Sequence, residues 1–209
     1  VTAPQPAAYK DGYTTWRGLR FIVNDRVLLP RLETTALLDV ALGLTYNSYV
    51  HEVGTGCGAV ALALKAQRPD LWVTASDIST AAVAVARENA KRLGIGGVRF
   101  WAAKGIPNAV RCDWPWPDLI IANLPYLSEE ALNSRPPEVR AEPEIAITGD
   151  CGPDGLGEIR KLIAETPAGR RLALEHDTHH GPAVREMLGD PATRLDCNGD
   201  ERVTVGLAP

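Results

Sequence analysis

The chain of 209 residues has no apolar run approaching the roughly 18 residues that a membrane-spanning helix needs. It shows no basic segment followed by an apolar one, so nothing supports secretion and the expected setting is the cytoplasm. It has no basic excess: the formal net charge is −4, which argues against a face built to bind nucleic-acid phosphates. Its four cysteines, Cys57, Cys112, Cys151 and Cys197, are scattered without a C-x-x-C pair, so they read as free thiols of a reducing compartment rather than zinc ligands. His176, His179 and His180 are the nearest thing to a metal motif. They span a strand-to-loop junction without a further acid or cysteine at ligand spacing, so they read as a polar loop and no metal is assigned. Repeats and low-complexity tracts are also missing. What remains, 45% hydrophobic and 23% charged, suits one globular domain with a full core.

The order of patterns along the chain predicts an α/β fold. Residues 1–12, rich in proline and alanine, read as an irregular lead-in. Thr14 to Val23 and Arg26 to Leu29 flank Asn24-Asp25 and read as a β-hairpin ended by Pro30. This divides the chain into a lead-in with hairpin, residues 1–30, and a main domain, residues 31–209. Apolar spacing predicts a helix within Leu32 to Leu44. Strands then alternate with helices: strands at Tyr49–Val53, Leu71–Ser76, Val98–Ala102, Asp118–Ala122 and Arg171–Glu175, with helices at Gly58–Gln67, Ser79–Leu93, Gly155–Glu165 and Pro182–Leu188. Thr193–Asp196 and Arg202–Gly206 close the chain as an antiparallel pair. Such alternation gives a mostly parallel, seven-stranded sheet covered on both faces. The proline-rich stretch Leu127 to Pro153 reads as a long loop beside the site, a length that tends to be functional.

Two motifs carry chemistry. His51-Glu52-Val53-Gly54-Thr55-Gly56-Cys57-Gly58-Ala59 follows the first strand of the alternation and opens a helix. Its glycines permit a tight turn and close approach of the backbone to a ligand, and Asp77 ends the next strand, where a carboxylate meets ribose hydroxyls. Read as G-x-G-x-x-A, the loop also fits a dinucleotide fingerprint, and Asp77 could equally cap the following helix. The loop by itself does not separate a nicotinamide enzyme from one using S-adenosylmethionine (AdoMet). Glu52 favours AdoMet, because a carboxylate just before the loop would repel a pyrophosphate. The second motif, Asn123-Leu124-Pro125-Tyr126, follows the apolar strand Asp118–Ala122. The Asn side-chain oxygen and a backbone carbonyl beside it supply two acceptors at a strand end. That pair suits a planar NH2 group undergoing methyl transfer and has no role in hydride transfer.

These pieces, in this order, resemble the class I AdoMet-dependent methyltransferases of the HemK/PrmC type, which methylate the side-chain amide of a glutamine. The resemblance rests on Leu29-Pro30-Arg31-Leu32-Glu33-Thr34, the Glu52–Ala59 loop, Ala75-Ser76-Asp77-Ile78-Ser79 and Asn89-Ala90-Lys91-Arg92-Leu93-Gly94. It continues through the tetrad, Pro137-Glu138-Val139-Arg140 with Glu142-Pro143, Asp154-Gly155-Leu156 and the tail Gly199 to Gly206. It implies a Rossmann-like class I methyltransferase fold. It implies that Glu52, Gly54, Thr55, Gly56, Cys57 and Gly58 form the AdoMet site with Asp77 on the ribose and Asn123 beside it. It also implies that Asn123, Leu124, Pro125 and Tyr126 hold the methyl acceptor. In bacteria that acceptor is a glutamine of peptide-chain release factors.

Three features depart from the family pattern. Leu124 stands where the family has proline, a form also known from adenine methyltransferases of ribosomal RNA. Trp101-Ala102-Ala103-Lys104-Gly105 replaces the usual Asp-Trp pair near the adenine. Only about thirty residues precede the main domain, so no counterpart is expected among them of the helical domain with which bacterial members grip the release factor. The alternatives that follow are a small-molecule or peptide amide as substrate, or an AdoMet-binding subunit that needs a partner for recognition. For the latter, Trp16-Arg17-Gly18-Leu19-Arg20-Phe21 is either a docking surface or a solvated hairpin face. A nucleic-acid methyltransferase ranks last.

Overall fold

A computed structural model describes residues 5–112 and 115–209. Residues 1–4 of the lead-in lie outside the described residues. Its sheet elements appear in the expected order: β1 (Tyr13–Trp16), β2 (Leu19–Ile22), β3 (Tyr49–Val53), β4 (Trp72–Asp77), β5 (Val98–Ala102), β6 (Leu119–Ala122), β7 (Arg171–Glu175), β8 (Gly189–Leu195) and β9 (Glu201–Leu207). β1 and β2 form a separate hairpin, and the other seven strands form one sheet of order β5-β4-β3-β6-β7-β9-β8. β5, β4, β3, β6 and β7 run parallel, and β9 is antiparallel to both neighbours. The expected seven-stranded, mostly parallel sheet with a closing antiparallel pair is therefore present. The chain leaves β3 on one side towards β4 and returns on the other side as β6. That reversal opens a crevice at the carboxyl ends of β3, β4 and β6, where open α/β sheets bind ligands.

The strands are read from their burial. Every residue of β3 and β6 is buried, as expected of central parallel strands covered on both sides. Successive side chains alternate between two cores. Ile121 and Ala173 pack with the helices α2 (Thr35–Leu42), α3 (Ala59–Gln67) and α4 (Thr80–Leu93). Ile120, Leu172 and Leu174 pack on the other face with α9 (Gly157–Glu165) and α10 (Gly181–Met187). α4 shows why a helix begins and ends where it does. Ser79 Oγ accepts the Ala82 N–H at 3.1 Å, Lys91 and Arg92 lie in the last turn, and Gly94 closes it at φ 66°.

Three local expectations are corrected. The hairpin turns at Arg17-Gly18 rather than Asn24-Asp25, and Arg26 to Leu29 is no strand. Arg17 (φ 50°) and Gly18 (φ 79°) both take the left-handed conformation that a two-residue hairpin turn requires. Asn24 instead accepts the Arg26 N–H on its side chain and the Val27 N–H on its carbonyl, a local turn that leads the chain towards the crevice. Part of the irregular lead-in is a short helix, α1 (Ala7–Asp11), ended by Gly12 at φ 77°. The long loop after β6 contains three one-turn helices, α6 (Glu129–Asn133), α7 (Pro137–Arg140) and α8 (Glu144–Ile147), while α5 (Asn108–Cys112) precedes β6. The Ser128 side chain caps α6 and Pro137 starts α7, but four or five residues are too few to show a period. No helix among the described residues is long and apolar enough to cross a membrane.

Candidate active site

A cavity of about 640 Å³ occupies the crevice. Gly54 and Gly56 after β3, Asp77 at the end of β4 and Ile78 after it, Ala103 to Gly105 after β5, and Asn123 to Pro125 after β6 line it, with α8 and α9 closing the far wall. The glycine loop is held by its own backbone. The Gly54 and Thr55 N–H groups both donate to the Ser76 carbonyl at 2.9 and 3.0 Å. Gly54 (φ 77°) fits only as glycine: a Cβ there would lie 3.2 Å from Leu124 Cδ2 and 3.4 Å from the Asn123 carbonyl oxygen. The loop and the tetrad are thus in contact across the sheet.

The sequence-expected cofactor residues divide into two groups. Gly54, Gly56, Asp77 and Asn123 face the cavity, whereas Glu52, Thr55, Cys57 and Gly58 lie behind the loop and do not line it. Glu52 is buried, and its Oε2 accepts the Thr55 hydroxyl at 2.6 Å and the Ala61 N–H at 3.1 Å, tying loop to α3. Burial pushes the Glu52 carboxyl up to about 8. Burial likewise pushes the Cys57 thiol up to about 12, which leaves it unreactive at neutral pH. Gly58 (φ 83°) lets the backbone of α3 approach α4, since a Cβ would lie 3.1 Å from Ala86 Cβ. Asn89 of α4 secures this loop from outside. Its Nδ2 donates to the carbonyls of Cys57 and Ile22 at 2.9 and 3.0 Å, and its Oδ1 accepts the Ile22 N–H at 2.6 Å.

Asp77 does not cap α4; Ser79 does. Asp77 Oδ2 accepts the Gly56 N–H at 2.8 Å and Oδ1 the Ser79 N–H at 2.9 Å. Burial raises its pKa, opposed by those two bonds. Each oxygen keeps a further lone pair, so the carboxylate can still accept from hydroxyls in the cavity. The floor under Ala103–Gly105 is set by a hydrogen-bonded chain inside the sheet. Ser76 Oγ donates to the Gly105 carbonyl at 2.9 Å and contacts His51 Nε2 at 3.1 Å, while His51 Nδ1 contacts Thr74 Oγ1 at 2.8 Å, itself 2.9 Å from the Tyr49 hydroxyl. One proton order satisfies the chain: Tyr49 donates to Thr74, Thr74 to Nδ1, and Nε2–H to Ser76. His51 is therefore neutral, in keeping with burial that pushes its pKa down to about 3.

Asn123 is half-buried at the end of β6. Its Nδ2 donates to Thr34 Oγ1 at 3.2 Å, which leaves Oδ1 as the amide atom available to the cavity. The Thr34 hydroxyl in turn donates to Glu175 Oε1 at 3.3 Å. The Cys151 thiol, with one proton to give, lies against the carbonyls of both Pro125 and Thr148, whereas among the described residues no donor reaches the Leu124 carbonyl. Tyr126 does not line the cavity. It lies behind the tetrad with its ring edge-on to His180, centroids 6.0 Å apart, and burial pushes its phenol up to about 12. Gly155 (φ 74°) abuts it so closely that a Cβ would overlap the Tyr126 carbonyl. Glu142 braces the entrance: it accepts the Leu29 N–H at 3.1 Å and pairs with Arg31, joining the segment after the hairpin to the loop after β6. His176 is taken up by Thr204 Oγ1 at 2.8 Å and the Asp177 carbonyl at 3.0 Å, and the described residues contain no cluster of three metal-ligating side chains.

Thr34, Asn89, Glu142, Gly155 and Glu175 belong to the site's framework but carry no role in the sequence reading. Glu175 had a signal, a carboxylate at the carboxyl end of the apolar strand Arg171–Glu175, the same signal that marks Asn123.

The sequence of residues 27–135 matches the family model described as the methyltransferase small domain. Among curated proteins, the release factor glutamine methyltransferase of Neisseria gonorrhoeae is 38% identical over 97% of this chain and 76% of its own length. That of Deinococcus radiodurans is 36% identical over 94% of this chain and 72% of its own. Among solved structures, the catalytic domain of hMettl16, in complex with MAT2A 3'UTR hairpin 6, superposes with a TM-score of 0.66 at 16% identity, covering 90% of this chain and 74% of that one. That likeness concerns the fold alone.

Proposed function

The chain belongs to the release factor glutamine methyltransferase family, and we propose that it methylates the side-chain amide nitrogen of a glutamine in a peptide-chain release factor. The observation that carries this reading is the orientation of Asn123, whose Nδ2 is bound to Thr34 so that Oδ1 is left for the cavity. An acceptor there matches the N–H of a glutamine amide.

The residues present fit AdoMet. The cavity of about 640 Å³ lies within the usual range of roughly 300–1,000 Å³ for cofactor sites. In this reading Gly54 and Gly56 give the cofactor close access to backbone, the free lone pairs of Asp77 take its ribose hydroxyls, and Glu52, Thr55, Cys57 and Gly58 hold the loop's shape from behind. When bound, AdoMet would supply an electrophilic methyl group, the electron pair of the broken carbon–sulfur bond staying on sulfur so that a neutral thioether leaves.

This chain's own part is to prepare the nitrogen. An amide nitrogen is a poor nucleophile because its lone pair is delocalised into the carbonyl. Asn123 Oδ1 and the Leu124 carbonyl each accept one N–H of the substrate amide, which fixes the NH2 group and directs its lone pair at the methyl. Pro125 shapes the wall, and Tyr126, packed against His180 behind the tetrad, braces it without touching the substrate. As the nitrogen gains a methyl it gains positive charge, which strengthens both bonds, and one of its protons then passes to water. No strong base is required, since positioning alone can supply roughly 7–11 kcal/mol of barrier reduction.

Incubating the purified protein with methyl-labelled AdoMet and a bacterial release factor tests this. The expected result is one methyl group, located by peptide mass spectrometry on a glutamine amide. An unlabelled factor beside a labelled small metabolite in cell extract would instead place the reaction on a small-molecule amide.

A further inference from the structure

We propose that Thr34 and Glu175 are positioning residues that fix the direction of the Asn123 amide, so that its oxygen rather than its nitrogen meets the substrate. The inference rests on the glutamine-methylation reading above.

An Asn side chain has two orientations of nearly equal shape. One presents an acceptor to an incoming NH2 group; the other presents a second NH2 group, donor against donor, and holds nothing. The shape of the pocket discriminates poorly between them, so a polar partner has to decide. Here the partner is Thr34 Oγ1, 3.2 Å from Asn123 Nδ2. A hydroxyl can donate or accept, and it alone would not decide either. Behind it stands Glu175, whose Oε1 is 3.3 Å from the same hydroxyl. An ionised carboxylate only accepts. The Thr34 proton therefore goes to Glu175, the remaining lone pairs of Oγ1 take the Asn123 N–H, and Oδ1 is turned outward. Direction passes from the carboxylate through the hydroxyl to the amide.

The placement of Glu175 supports a functional reason for its charge. It is only 2% exposed and Thr34 only 6%. Its second oxygen, Oε2, is buried without a hydrogen-bond partner among the described residues, as are Thr35 Oγ1 and His180 Nδ1 nearby in sequence to the two relay groups. A buried, half-satisfied carboxylate is costly and adds nothing to packing that an apolar side chain would not supply. Three elements meet here: the start of α2, the end of β6 and the end of β7.

The relay has an acid limit. A protonated Glu175 can donate to Thr34 Oγ1. The threonine proton then turns to Asn123, which must accept through Oδ1, and the amide flips. Burial pushes the Glu175 carboxyl up to about 7, the Thr34 bond and Arg202 oppose that rise, and Glu33 and Asp196 add to it. The other ionisable groups around the relay are Tyr126 after β6 and His176 and Asp177 after β7. Burial holds His176 below the ordinary histidine value and pushes Tyr126 up to about 12.

The test is steady-state methylation of a release factor by the wild type and by Thr34→Val, Thr34→Ser and Glu175→Gln, with AdoMet affinity measured by calorimetry. Thr34→Val should lower kcat roughly tenfold to a hundredfold, the range for leaving a buried donor unpaired, while AdoMet affinity stays within about twofold. Thr34→Ser should restore most of kcat. The effect of Thr34→Val should disappear in an Asn123→Ala background, because a direction that no longer exists is not lost twice. Wild-type kcat should fall as pH drops through about 7, and Glu175→Gln, whose amide can donate like the protonated acid, should show a low kcat without that limb. Wild-type kcat in Thr34→Val, or an undiminished Thr34→Val effect in the Asn123→Ala background, would overturn the relay. A wild type that leaves the factor unmethylated would overturn the glutamine reading instead.

Discussion

Alanine substitutions at three glycines separate backbone strain from contact with the tetrad. Gly54 is left-handed at φ 77°, and its added Cβ would lie 3.2 Å from Leu124 Cδ2 and 3.4 Å from the Asn123 carbonyl. Gly56 is left-handed at φ 55° with nothing within 4 Å, and Gly96 has neither a left-handed φ nor a neighbour. The left-handed conformation costs a non-glycine residue roughly 1–2 kcal/mol. Crowding a packed contact adds roughly 1–3 kcal/mol. Gly56→Ala should therefore lose about 1–2 kcal/mol and Gly54→Ala about 2–5 kcal/mol. Gly96→Ala should be neutral or gain a few tenths through the unfolded chain. In a chain of this size each kcal/mol moves Tm by roughly 2–4 °C, so scanning calorimetry resolves the series. The second readout is methyl transfer. Gly54→Ala pushes on Leu124 and Asn123 and should lower kcat more than its stability loss explains, whereas Gly96→Ala should leave kcat unchanged. Equal Tm and kcat for Gly54→Ala and Gly96→Ala would refute both the strain and the contact between loop and tetrad.

Two further outcomes follow from buried groups. The Glu52 carboxyl is raised from its ordinary value to about 8, so the folded state holds a proton that the unfolded chain has released. Its contribution is intact below the unfolded value near 4.5 and is lost as pH rises towards 8, so urea unfolding should show Glu52→Gln gaining on the wild type across that window; parallel pH profiles would contradict the assignment. Gly155→Ala should displace the Tyr126 carbonyl and abolish measurable turnover while AdoMet affinity by calorimetry is kept, because Gly155 does not line the cavity; an active variant would show that the tetrad tolerates movement there.

The sheet, the glycine loop, Asp77 and the tetrad were legible because each is a local pattern: an apolar run, then a turn or a polar residue at the strand's carboxyl end. The register of the hairpin was not, because Arg17 carries no sequence mark of the left-handed conformation it adopts, while Asn24-Asp25 carries a false one. The one-turn helices after β6 were missed because each shows a start signal without enough length for a period. Side-chain direction was harder still. The acid before the glycine loop was read as a cofactor-binding residue, but its carboxyl group turns away from the cavity into Thr55 and Ala61. The Asn123–Thr34–Glu175 relay joins residues up to 141 positions apart, and only the folded sheet brings them together.

In the proposed reaction Asn123 holds a release-factor glutamine amide for methylation. The direct measurement is the rate of methyl transfer to that glutamine, followed by mass spectrometry, for the wild type and Asn123→Ala at saturating AdoMet. A single methylated glutamine is expected with the wild type, and a rate about two to three orders of magnitude lower with Asn123→Ala, the scale for removing one transition-state hydrogen bond of this kind. A variant that methylates the same glutamine at the wild-type rate would contradict it.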